Sequence, residues 1–263
     1  MKITVMTFNL RYDKPDPGER QWQNRVGAIA SLIKHYQPDL LGTQEGKAHQ
    51  LADLKALLPE YNVIGGDRTG TGQGEHCAIF YHYQRLQCQQ TQDFYLSDTP
   101  HIPGSITPSW GNRLPRMATW AKFTILNTSY SLTLVNTHLD HESFTAREFG
   151  AALVYRHLGK FSPDNYLLLT GDFNAQPQTK ERQIFLSPLA NNIKLQDALA
   201  NLPYREQKTV HEFTGDAWGA IDTIYCDQRL QIEKTTTDRQ KWQGIWPSDH
   251  FPVIVTLNFP PHN

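Results

Sequence analysis

Leu167 to Pro177, LLLTGDFNAQP, is the stretch on which the fold reading turns. Leu167, Leu168 and Leu169 form a short apolar run bounded by turn residues, the pattern of a strand covered on both faces. Gly171 is expected to end that strand. Asp172 and Asn174 follow at alternate positions, which lets both side chains point the same way from the strand's C-terminal edge. Open α/β sheets place their ligands at that edge. Turn chemistry alone accounts for Asp, Asn, Gly and Pro here, so the stretch gains functional meaning only from counterparts elsewhere.

Working outward, Ser131 to His138 (SLTLVNTH) alternates as a strand does, and Asn136, His138, Asp140 and His141 stand at its end. A helix over Phe144 to Leu158 joins it to the leucine strand. Nearer the N-terminus, Ile3, Val5 and Phe8 mark a strand that stops at Asn9, and Val26, Ile29, Ala30 and Ile33 follow helical spacing that runs out before Pro38. Pro38 to Glu45 (PDLLGTQE) reads as a buried strand finishing on Gln44 and Glu45. A carboxylate at the mouth of an apolar strand is costly unless it is paired or holds a cation.

Leu51, Leu54 and Leu58 give a second helix stopped by Pro59, and the YNVIGG and CAIFYHY segments return as strands. The glycine-rich loop Asp67 to Glu75 between them lacks a phosphate-binding fingerprint, because no helix pattern follows it. Leu86 to Leu96 and Arg116 to Phe123 read as strands around a long loop, Ser97 to Pro115, that carries Trp110 and Asn112. Thr179 to Leu202 reads as short helices. Trp218 to Tyr225 (WGAIDTIY) reads as a strand containing Asp222, and Ser248, Asp249 and His250 precede a last alternating strand. No solenoid repeat, low-complexity tract or linker divides the chain, so residues 1–263 are expected to form a single domain.

Lys and Arg number 25 against 26 Asp and Glu, a formal charge of -1. That leaves no bulk positive field to gather a polynucleotide or an anionic membrane from a distance. The three cysteines, Cys77, Cys88 and Cys226, lack metal-ligand spacing and fit a reducing compartment. The N-terminal segment alternates like a strand rather than a signal peptide, and no apolar run is long enough to span a bilayer. A cytoplasmic monomer without membrane insertion is the resulting expectation.

Asn9, Glu45, His138, Asp172 with Asn174, Asp222, and Asp249 with His250 all fall at or near strand ends, which converge in space when sheets pack. Carboxylate and amide oxygens suit a hard cation such as Mg²⁺ or Mn²⁺, and histidines supply proton donors near neutral pH. Together they are equipment for hydrolysing a phosphate ester.

The ordered motifs TFN, QE, NTH, GDFN, a late ID and SDHFP resemble the endonuclease/exonuclease/phosphatase superfamily over Thr7 to Pro252. TFNLRYD, GEHCAIFYH, FYLSDTP, RMATWAKF and NTHLDHES are similar to a bacterial subgroup of it. The resemblance implies an α/β fold of the deoxyribonuclease I type: two mixed β-sheets packed face to face with helices outside, a four-layer sandwich. It implies Glu45 as principal metal ligand with Asn9 beside it and Asp249 in support. Asp172 would orient or deprotonate the attacking water, and Asn174 would hold that water or a phosphate oxygen. His250 would hydrogen-bond the phosphate, oriented by Asp222. His138 matches a second catalytic histidine, with Glu75 assigned as its carboxylate partner. Arg116 and His141 are candidates for substrate contact. A small or short phosphate ester is the expected substrate; a nuclease acting on DNA or RNA, and a catalytically silent binding module, are the alternatives.

Overall fold

A computed structural model describes residues 1–261. In chain order it contains β1 (Lys2–Asn9), α1 (Trp22–Tyr36), β2 (Leu40–Gln44), α2 (Ala48–Leu57), β3 (Tyr61–Ile64), β4 (Ile79–His82), β5 (Leu86–Tyr95), β6 (Met117–Ile125) and β7 (Ser131–His138). There follow α3 (Phe144–Leu158), β8 (Tyr166–Asp172), the short α4 (Lys180–Gln183), β9 (Leu195–Asp197), the short α5 (Tyr204–Gln207), β10 (Asp222–Asp227), β11 (Gln231–Thr237) and β12 (Val253–Asn258).

The strands make two mixed sheets of six, ordered β11-β12-β1-β2-β4-β3 and β5-β6-β7-β8-β10-β9. Parallel pairs, β1 with β2 and β7 with β8, sit near the middle of each. The leucine strand shows why the layers stack. Leu168 belongs to the core between the sheets, with Val5, Leu40, Leu134, Ile224 and Val255. Leu167 and Leu169 face the opposite way, into the core under α3 with Val135, Val154 and Leu158. Met6, Phe8 and Leu41 likewise face outward beneath α1 and α2, against Ile29, Leu32, Ile33, Leu51 and Leu54. The result is helix, sheet, sheet, helix.

The inner face changes character along its length. Because side chains alternate along a strand, positions two residues on from the inner apolar core stay between the sheets. They read Ile3, Val5, Thr7, Asn9 on β1, then Leu40, Gly42, Gln44 on β2. They read Leu132, Leu134, Asn136, His138 on β7, and Leu168, Thr170, Asp172 on β8. One end of the sandwich is thus apolar and the other polar. The polar end is sealed by a network between the sheets: Gln44 Nε2 donates to Asn136 Oδ1 at 2.7 Å and to Thr7 Oγ1 at 3.1 Å. Asn136 Nδ2 donates to the Thr43 and Ala78 carbonyls, and Thr170 Oγ1 donates to Asn136 Oδ1. Buried polar groups are tolerated when they are paired in this way.

Three sequence expectations are corrected, and one strand was not foreseen. Gly171 does not end the central strand, which runs on to Asp172; a Cβ at Gly171 would lie 2.5 Å from the Thr137 carbonyl, so glycine is there to let β7 and β8 approach. The region 179–202 holds a strand, β9, as well as helical turns. Trp218 to Ile221 precede β10, which starts at Asp222. The strand β11, half-exposed at the sheet edge, escaped the sequence reading because it lacks apolar alternation. No helix among the described residues is long and apolar enough to cross a membrane.

Candidate active site

Sheet register assembles the centre. On one side of Asp172 lies His138, its partner across the parallel β7–β8 pair; on the other lies Asp222, its partner across the antiparallel β8–β10 pair. Glu45 arrives from the facing sheet. It follows β2 with a left-handed φ of 66°, which turns the chain at the strand's mouth. Carboxylate and imidazole atoms of Glu45, His138 and Asp172 lie within 4.8 Å of one another, as do those of Asp172, Asp222 and His250.

Asn9 bridges the sheets. Its Nδ2 donates to Glu45 Oε1 and to Asp172 Oδ2, each at 3.0 Å, while its Oδ1 accepts from the Arg11 amide at 2.9 Å. Asn9 thus stands beside Glu45, with its amide donors on the two neighbouring carboxylates and its oxygen accepting from the backbone. Glu45 Oε2 accepts from the Tyr12 amide at 3.0 Å. Burial pushes the Glu45 carboxyl up, but the Asn9 hydrogen bond, the His250 charge, the Tyr12 amide and Arg11 together hold it below the usual range. Asp172 goes the other way. Burial and the Asp222 charge raise it well above the usual range against the pull of His250, the Asn174 amide and Asn9.

His250 Nδ1 donates to Asp222 Oδ2 at 2.8 Å, and the same oxygen accepts from Thr209 Oγ1 at 2.5 Å. Burial alone would lower the imidazole; the Asp222 charge and hydrogen bond, with Asp172 and Asp249, lift it well above its ordinary value. Burial and the Arg116 and Arg68 charges press the His138 imidazole well below its ordinary value. Its Nε2 accepts from Asn174 Nδ2 at 3.0 Å, so its proton sits on Nδ1. Asn174, at φ 48°, also donates to the Leu139 carbonyl, and its backbone amide donates to Asp172 Oδ1. With its amide protons used, Asn174 has an acceptor to offer a water but no donor for a phosphate oxygen, which narrows its expected role.

Glu75, expected to pair with His138, pairs with Arg68 in this arrangement. Glu75 Oε1 accepts from Arg68 Nη2 at 2.8 Å, and no hydrogen bond joins it to His138 among the described residues. The loop from Asp67 to Glu75 winds around the Asp67 carboxylate, which accepts from the Thr69, Gly72 and Gly74 amides, and this winding presents Arg68 to Glu75. Asp249 Oδ2 lies 3.3 Å from Arg11 Nη1. Arg116, buried, reaches His141 Nδ1 at 2.6 Å and lies 3.6 Å from Asp140, with its Nε left without a hydrogen bond.

These groups open into a cleft of about 750 Å³. Arg11, Lys14, Arg20 and Arg68 line it, with Phe213 and Trp218 on the loop before β10. Trp218 is 57% exposed. None of these six was singled out from the sequence, since isolated Arg, Lys and aromatic residues in loops carry no spacing signal.

Two carboxylates, Glu45 half-buried and Asp172 buried, and the His138 imidazole at one point suit a divalent cation, and the Asn9 amide bridges the two carboxylates. The fold and this cluster are those of a metal-dependent hydrolase. The chain belongs to the endonuclease/exonuclease/phosphatase family, whose pattern matches residues 6–250. It is similar to an endonuclease/exonuclease/phosphatase family protein from Bacteroides thetaiotaomicron, at 30% identity and TM-score 0.86 over 99% of both chains. A mannosyl-6-phosphatase from the same organism is 30% identical, TM-score 0.85, over 98% of this chain and all (100%) of that one. A functionally unknown conserved protein from Enterococcus faecalis is 32% identical, TM-score 0.85, with 98% and 100% covered. Among curated proteins, Nocturnin of Drosophila melanogaster is 24% identical over 91% of this chain and 42% of its own length. The chain thus spans less than half the length of the curated relatives it matches.

Proposed function

We propose that this chain, acting as one domain, is a phosphomonoesterase for a small substrate, using Mg²⁺ or Mn²⁺. The observation that carries this reading is that Arg116 and His250 stand with Glu45 and Asp172 in one cleft of about 750 Å³, so phosphate-binding donors and candidate cation-holding carboxylates share a space sized for a small ligand. A terminal phosphate carries roughly -1.5 to -2 at neutral pH, more than a diester, and a cleft of this size matches a small ligand. A polymer would call for an extended basic track. The likeness to a mannosyl-6-phosphatase supports a sugar phosphate, with Phe213 and Trp218 as walls for the sugar.

Glu45 would hold the cation, which would neutralise phosphate charge when bound. Asp172, its carboxyl raised and its orientation fixed by Asn9 and the Asn174 amide, takes the proton from the attacking water. Asn174 Oδ1 accepts from that water. His250, with Nδ1 committed to Asp222, donates from Nε2 to a phosphoryl oxygen where charge builds up. Arg116 adds a donor, and as the new P–O bond forms the ester P–O bond breaks, the leaving sugar oxygen taking a proton from solvent while Asp172 returns its own.

Phosphate release should be followed with Mg²⁺ from mannose 6-phosphate and other sugar phosphates, and hydrolysis of bis(p-nitrophenyl) phosphate and oligonucleotides measured alongside. Monoesters are expected to be the best substrates, with activity abolished by EDTA. Faster cleavage of oligonucleotides, weakening steeply with salt, would overturn the reading in favour of a nuclease.

A further inference from the structure

Arg25, in α1, has none of its surface exposed, and no step of the proposed hydrolysis uses it. Its hydrogen bonds all go to backbone carbonyls: Nε to Arg20 at 2.8 Å, Nη1 to Leu10 at 2.8 Å and Pro247 at 2.7 Å, and Nη2 to Arg11 at 3.1 Å. The guanidinium lies 5.6 Å from the Trp22 ring and 5.5 Å from the Phe213 ring. Burying a cation with carbonyls as its only partners is costly, and an apolar side chain of similar volume often serves stability better. A rigid planar fork, however, joins several acceptors at fixed angles, which an ammonium cannot do.

The segments so joined are those that carry the site. Leu10 and Arg11 continue from Asn9, Arg20 lies on the cleft wall, and Pro247 leads into Ser248, Asp249 and His250. Ser248 Oγ donates to the Asn9 carbonyl at 2.7 Å, a second tie between the same two segments. Phe213, held against Arg25, belongs to a loop whose His211 and Glu212 amides donate to the Asp249 carbonyl.

We propose that Arg25 is a positioning residue that fixes the spacing between the Asn9 segment and the Ser248–His250 segment, and with it the alignment of His250 to Asp172, whose Nδ1 and Oδ2 lie 3.9 Å apart. The catalytic part of this inference rests on the phosphoesterase reading. A displacement of about 1 Å in a reacting constellation can cost on the order of 10²-fold in rate.

The test compares Arg25→Lys, which keeps the charge but loses the fork, with Arg25→Met, which keeps the volume without donors. Well below the melting temperature, both should lose about 10- to 100-fold in kcat with KM changed by less than about threefold, because substrate-binding side chains remain. A crystal structure of Arg25→Met should show the 247–250 segment shifted and the Ser248–Asn9 hydrogen bond broken. Unchanged kcat with the segment in place would overturn the proposal. Should wild-type protein hydrolyse none of the esters, the functional reading fails, while the crystal structure still decides whether Arg25 sets the spacing. Should neither variant fold, NMR of wild-type protein decides: an anchored guanidinium gives separately resolved Nη protons, and a single averaged signal would overturn the proposal.

Discussion

The base role proposed for Asp172 rests on its surroundings: His138 and Asp222 flank it in the sheet, and burial with the Asp222 charge holds its carboxyl up. Removing that capacity with Asp172→Asn should lower kcat by about 10²–10⁴, and removing the donor with His250→Ala by about 10²–10³, both at nearly unchanged melting temperature. Asp222→Asn should cost less than His250→Ala and add little on top of it, because Asp222 acts through His250; full additivity in the double mutant would contradict the pairing. Glu45→Gln should weaken Mn²⁺ binding by calorimetry without unfolding the protein, and unaltered affinity would move the metal elsewhere. The types and positions of these groups were legible as polar residues at strand ends. Their partners were not. Whether Glu75 meets His138 or Arg68 is decided by how the Asp67 loop winds, and Asn9's amide orientation by a neighbouring backbone N–H, neither of which has a sequence pattern.

At the scale of elements, the change from apolar to polar on the inner faces locates the site, and Gly42 is a point where the sheets approach closely. A Cβ there would collide with Thr170 Oγ1 and lie 2.7 Å from Asn136 Oδ1. Gly42→Ala should therefore destabilise the fold by about 1–3 kcal/mol through displacement of the Asn136 network, read as a lower urea midpoint; an unchanged midpoint would mean the sheets have room to spare. Strands with alternating apolar residues on both faces, and helices bounded by Pro38 or Pro59, were readable because burial imposes a period. β7 and α3 match their expected spans. β9, of three residues, and the edge strand β11 were not readable, since a short or half-exposed strand needs only a pairing partner and imposes no period.

For the whole molecule, acid stability and thiol accessibility follow from burial. His157 stacks on Phe94 with ring centroids 4.2 Å apart, and burial, with Lys160 nearby, lowers its pKa from 6.5 to about 4. Unfolded chain takes up this proton below 6.5 while folded protein refuses it until about 4, so the His157 contribution to stability is whole above 6.5 and is lost as pH falls through that window. His157→Phe should flatten the fall in melting temperature across it; identical slopes would contradict this. Cys77 and Cys226 are buried and Cys88 partly so, and all three are free, so thiol titration of denatured, unreduced protein should find three.

The most direct test is single-turnover hydrolysis of a sugar 6-phosphate by wild-type protein and Asp172→Asn, each with saturating Mg²⁺ and with EDTA. Wild-type protein should turn over only with metal, and Asp172→Asn should be slower by about 10²–10⁴ with metal present. Near wild-type rates from Asp172→Asn, or turnover that ignores EDTA, would contradict hydrolysis at this centre.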